Sequence, residues 1–238
     1  MRASMTGSRL LPPLPALCRG DRSLLDGWLS GHQRGSLGTC VLLIVLGCGA
    51  YGYTIGLWRG GEMALYVAVK LPAVILLTVV LNGLLNGMLS LVLGSGIGVR
   101  RSLQFLLTAF AIMAVTLGAL SPVALFQVLN TPPPGGGSAG GSYTVLLLTH
   151  TSLIAFAGIV SHRKLLGLLR SKAATPGAGT RTFVAWLAGN LFVGAQVSFI
   201  LRPYFGIPGR DVEFLRADPL QGNFYEAVYH AAATLCGF

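Results

Sequence analysis

Charge is scarce in this chain. Only 10% of its 238 residues are Asp, Glu, Lys or Arg, and just seven of those are acids. A soluble domain carries about a quarter charged residues, so there is too little polar sequence here to cover a water-exposed surface. That shortage excludes a soluble enzyme, a nucleic-acid binder and a disordered tail. Cysteine is sparse too. Cys18, Cys40, Cys48 and Cys236 show no C-x-x-C spacing and no Cys/His cluster, so neither a zinc site nor a disulfide framework is expected. There is no H-E-x-x-H and no Ser/His/Asp order, and Gly94-Ser95-Gly96-Ile97-Gly98 lacks the Gly-Lys-Ser/Thr ending of a phosphate loop. The expectation is a non-enzyme without metal or cofactor.

What is abundant is apolar sequence: 53% of residues are hydrophobic, with a mean hydropathy of +0.70. A helix needs about 20 apolar residues to cross ~30 Å of hydrocarbon, and five stretches qualify. They are Leu37–Leu57, Pro72–Leu93, Leu103–Leu120 with a continuation to Leu129, Tyr143–Val160 and Phe183–Leu201. Pro122 predicts a kink or break in the third. The block from Met63 is compatible with one tilted helix or a re-entrant pair. A basic loop is expected from Ser161 to Thr180. The fold class is therefore all-α, an integral membrane bundle of five transmembrane helices. It divides into a basic N-terminal segment (1–36), the helical domain (37–201) and a C-terminal loop with a short interfacial helix (202–238).

The cations set the orientation. With the N-terminus cytoplasmic, the inner segments hold twelve Lys and Arg and two acids, whereas the outer segments hold five of each. Cytoplasmic loops retain Lys and Arg, which gives N-in, C-out. The first span is taken as a retained signal anchor. The competing reading is that Val45-Leu46-Gly47-Cys48 acts as a lipobox, with Cys48 lipidated.

Few polar residues interrupt the spans. Asn82-Gly83 and Asn86-Gly87 repeat four residues apart and share a helical face, which suits close helix packing or a polar path. His150 is placed either as a hydrogen-bonding group between helices or as a proton relay. Lys70 is expected to snorkel to the outer interface. Gln196 is a further polar group in the fifth span. Beyond it, Arg202, Tyr204 and Phe205 suit an interfacial anchor, and Arg210, Asp211, Glu213 and Arg216 form a charged stretch. Asn223-Phe224-Tyr225-Glu226 matches a capping box that opens a helix through Leu235. Glu226 and His230 meet on that helix as a pair too small to hold a metal.

The run from Gln196-Val197-Ser198-Phe199-Ile200-Leu201-Arg202-Pro203-Tyr204 to Asn223-Phe224-Tyr225 resembles a family of poorly characterised bacterial polytopic membrane proteins, over roughly the last 45 residues. Members often carry tryptophan where this chain has Phe199 and phenylalanine where it has Tyr204. The resemblance implies a bacterial inner membrane, in which the C-out orientation read from the cations puts the C-terminus on the periplasmic side. In topology alone the chain is also similar to the Yip family of trafficking adaptors. The resulting expectation is a scaffold or accessory subunit that meets other integral membrane subunits, and lipid, through Arg202, Tyr204, Phe205, Arg210, Asp211, Glu213, Arg216, Phe224 and Tyr225. The alternative is a small transporter or channel whose polar path uses Asn82, Asn86, His150, Gln196 and Arg202.

Overall fold

The structure, a computed structural model, describes residues 36–135, 139–206 and 211–226. Within them the chain is helical and no strand occurs. Helix α1 spans Ser36–Gly56 and ends in a 3-10 turn at Leu57–Arg59. Helices α2 to α5 span Gly61–Val92, Val99–Leu129, Ala139–Lys172 and Pro176–Ile200. All five helices are long and apolar enough to cross a membrane, so the chain is an all-α integral membrane bundle. Helices α2, α3, α4 and α5 neighbour one another in that order and close back on α2, while α1 lies along α2 and α3.

Several boundaries differ from those read in the sequence. Pro72–Leu93 is the C-terminal part of a single 32-residue helix that begins at Gly61, about 48 Å long. No re-entrant pair is formed. Helix α3 runs unbroken past Pro122 to Leu129. The basic loop expected from Ser161 to Thr180 is mostly helix, because nothing between Ser161 and Lys172 breaks it and Leu165, Leu168 and Leu169 bury a continuing apolar face. The true stop lies at Thr175-Pro176. Thr175 caps α5 by accepting from the Ala178 amide at 3.1 Å, with proline in the first helical turn.

Close approach of α1 and α3 depends on glycine. A Cβ on Gly47 would overlap the Ala114 carbonyl, and a Cβ on Gly118 would lie 3.2 Å from Gly47 Cα. Cys48, the residue of the lipobox reading, is fully buried within α1. At the end carrying Arg100, Arg101, Arg170 and Lys172, the α2–α3 loop docks on the α4–α5 turn. There Ala174 N donates to Ser95 O at 2.9 Å. Ser90, Ser95 and Ser102 are buried and bonded at this joint, with the single Ser90 hydroxyl proton within reach of the carbonyls of both Gly87 and Ile97.

Candidate functional site

Two polar constructions stand out in an otherwise apolar bundle. The first is the seam between α2 and α5. Asn82 Nδ2 donates to Gly189 O at 3.0 Å and to Asn190 Oδ1 at 3.1 Å, and Asn86 Nδ2 donates to the same Asn190 oxygen at 3.2 Å. Trp186 Nε1 donates to Asn86 O at 2.7 Å. Asn82, Asn86, Asn190 and Trp186 are all buried. A Cβ on Gly194 would touch Thr78, so the antiparallel register steps four residues at a time along both helices. Thr78 faces Gly194, Asn82 faces Asn190 and Asn86 faces Trp186. The same step sets Ser90 level with Thr182, whose buried hydroxyl has no partner. Gly83 and Gly87 turn the other way, against Leu103 and Val99 of α3. The two Asn-Gly pairs therefore serve two neighbours, amides towards α5 and glycines towards α3.

The second construction is the segment after α5, which folds back onto the bundle. Lys70 does not snorkel. It is 0% exposed, donating to Pro203 O at 2.8 Å with the Phe214 ring 5.0 Å away. The physical reason is that α5 stops at Ile200, level with this part of α2, and the following non-helical residues cover the ammonium. Irregular backbone at such a depth is stable only where protein satisfies its polar groups, and here Lys70 does so.

Other bonds complete the attachment. Tyr204 donates to Ser198 O at 3.0 Å, and Arg202 donates to Phe199 O at 2.9 Å with its guanidinium 3.3 Å above the Phe199 ring. Burial, then the nearby charge of Arg216, lowers the Arg202 pKa. Burial pushes the Tyr204 phenol up to about 12. Phe205 packs 5.4 Å from His150 and 6.3 Å from Tyr143. His150 Nδ1 is hydrogen-bonded to Tyr51 OH at 3.0 Å, whereas its buried Nε2 has no partner. Further on, Phe224 N donates to Gln196 Oε1 at 3.0 Å, and Tyr225 donates to Phe192 O at 2.7 Å while stacking on the Phe192 ring at 4.8 Å.

The residues singled out in the sequence thus fall at three places. Asn82, Gly83, Asn86 and Gly87 lie on the C-terminal half of α2. His150 lies between α1, α4 and Phe205. Gln196, Arg202, Tyr204, Phe205, Phe224 and Tyr225 belong to the returning segment. Asp211 and Glu213 are exposed and Arg216 is half-buried. Arg210 and His230 lie outside the described residues, as do the residues beyond Glu226 over which the C-terminal helix is expected. Its first turn carries the expected cap, with Glu226 N donating to Asn223 Oδ1 at 2.8 Å. Asn190, Trp186 and Tyr51 were missed in the sequence. The signal for the first two was Thr182, Trp186 and Asn190 at intervals of four, matching Asn82, Asn86 and Ser90.

Fold and site together define a class: a five-helix integral membrane bundle with an amide seam and a C-terminal segment docked on one end. In comparisons with protein families, curated proteins and solved structures, nothing matches this chain.

Proposed function

We propose that the chain is a non-catalytic accessory subunit of a larger membrane complex. It stands N-in, C-out in a bacterial inner membrane and meets another integral subunit through residues 202–226. The observation that carries this reading is the two-sided character of the segment. One side is fastened to Lys70, Phe192, Gln196 and Ser198. Beyond those contacts the segment leaves Leu215, Leu220 and the Phe224 ring exposed, outside any candidate span. Grouped apolar residues held on a rigid support are what an interface core requires. The exposed acids Asp211, Glu213, Asp218 and Glu226 alternate with them along the segment, so the fitting partner edge is apolar with basic residues beside it.

The inner end supports the orientation. It gathers Arg100, Arg101, Arg163, Lys164, Arg170, Lys172 and Arg181, and no acid lies there among the described residues. This face also suits anionic lipid head groups, at about 1 kcal/mol per cation near the surface.

The test is the double variant Leu215→Asp/Leu220→Asp, since Leu220 is 76% exposed and neither change disturbs the attachment. The wild-type chain, extracted from native membranes in mild detergent, should migrate on a native gel with its complex, and the variant should migrate alone. Unchanged co-migration would sink the reading.

A transport role is the second reading, and one observation favours it. Lys70, Thr78, Asn82, Asn86 and Ser90 form a buried polar row at intervals of four or eight along α2. Asn82→Leu/Asn86→Leu would then abolish flux in proteoliposomes while leaving assembly intact.

A further inference from the structure

The α2–α5 seam leaves hydrogen-bonding capacity unused where none can come from lipid. Gly189 O fixes the Asn82 amide, because turning that amide over would set its oxygen against the carbonyl at 3.0 Å. Asn190 must then present Oδ1 to Asn82 at 3.1 Å, and Asn86 must offer its NH2 to that same oxygen at 3.2 Å. Other orientations oppose acceptor to acceptor or donor to donor. The result is forced: Asn86 Oδ1 and Asn190 Nδ2 are buried with no partner, on residues only 1% and 6% exposed. One is an acceptor and the other a donor.

Beside them Gly189 leaves room. A Cβ there would meet nothing nearer than Asn86 Oδ1 at 3.8 Å and Asn82 Oδ1 at 3.9 Å. A notch walled by two amide oxygens therefore opens near the middle of α5, one residue before Asn190.

We propose that this notch binds one water molecule, which donates to Asn86 Oδ1 and accepts from Asn190 Nδ2. An anion would face two amide oxygens, and a cation would face the amide NH2 groups that converge on Asn190. A neutral molecule that both gives and takes a hydrogen bond matches the open pair. A space that takes a methyl group at ordinary contact distance is the size of one water. Immobilising one water costs less than leaving two buried polar groups unpaired, and such waters occur where polar partners converge. The inference stands apart from the docking of the C-terminal segment.

The experiment uses the full chain in detergent micelles with nitrogen-15 asparagine and tryptophan, reading cross-relaxation between side-chain amides and water. Opposite signs in the laboratory and rotating frames separate a resident water from proton exchange. Wild type should show contacts from Asn86 and Asn190 at the water frequency. Gly189→Ala fills the notch at ordinary contact distance and should abolish them, while the Trp186 indole resonance keeps its shift. No contact in wild type, contacts that survive Gly189→Ala, or contacts at a frequency other than water would each overturn the proposal. If Gly189→Ala does not fold, Asn86→Leu replaces it: loss of the Asn190 contact supports the site and persistence overturns it.

Discussion

Lys70 Nζ donates to Pro203 O across 2.8 Å, tying the tenth residue of α2 to the third residue past α5. Phe214 covers the same ammonium, so two parts of the C-terminal segment converge on one side chain. Lys70→Met keeps the stem and removes the donor, which leaves the Pro203 carbonyl unpaired at a cost of about 1–3 kcal/mol. The variant should melt lower than wild type in detergent and be cleaved faster by protease within residues 211–226. Equal cleavage rates would mean that Gln196 and Phe192 suffice to hold the segment.

Asn190 serves two donors with one oxygen, so its loss should cost more than the loss of either partner. Hydrogen bonds between membrane helices average about 0.6 kcal/mol and reach about 1.7. Asn190→Ala is expected to destabilise by about 1–2 kcal/mol and Asn86→Ala by less than about 1 kcal/mol, measured by reversible unfolding in mixed detergent. The double variant should cost little more than Asn190→Ala alone, because the shared bond can be lost only once. Additive losses would show that the two amides act independently.

Much of the bundle was legible because crossing lipid demands runs of apolar residues that nothing else in a chain resembles. The extra length of α2 and α4 was hidden by charge. Glu62, Lys70 and the basic residues after Ser161 look like loop, yet Leu165, Leu168 and Leu169 keep the helical period beneath them. Half of the amide seam was visible, since Asn82 and Asn86 advertise one face locally. Its other half needed the register between helices more than a hundred residues apart in sequence. The same distance hid Lys70 with Pro203 and Tyr51 with His150, because a side chain's tertiary partner leaves no local periodic trace.

Two glycines separate close packing from mere permissiveness. Gly47 presses on the Ala114 carbonyl, whereas Gly167 in α4 would find nothing within 4 Å of an added Cβ. Gly47→Ala must push α1 off α3, with a cost of about 1–3 kcal/mol typical of overpacking. Gly167→Ala should be neutral or stabilising by up to about 1 kcal/mol, as alanine favours helix. Thermal unfolding of both in one detergent decides the matter, and matched melting temperatures would refute the close crossing.

Tyr204 gives the C-terminal segment a pH limit. Its phenol is raised from 10.0 to about 12 by burial, so the folded state favours the neutral form. The sign follows: the contribution is complete below about pH 10, where the unfolded chain still holds its proton, and is lost as pH climbs from about 10 to 12. Protection of residues 211–226 from protease should fall over that window in wild type. Tyr204→Phe should start lower, by the loss of its bond to Ser198 O, and show a shallower alkaline decline. A decline of equal steepness would assign it to another group.

Orientation is open to direct labelling, because the loops between spans fall into two sets. Gly135 lies in the loop between α3 and α4, and Ala174 lies in the turn between α4 and α5 at the basic end. Cys40 and Cys48 are buried, so single reporters Gly135→Cys and Ala174→Cys can be read once Cys18 and Cys236 are replaced by serine. The end with Ala174 carries seven cations and no acid among the described residues, and lysine and arginine are retained on the cytoplasmic side. In intact bacterial cells a membrane-impermeant maleimide should label Gly135→Cys at once and Ala174→Cys only after permeabilisation. The reverse pattern would place the C-terminal segment in the cytoplasm and move its partner there with it.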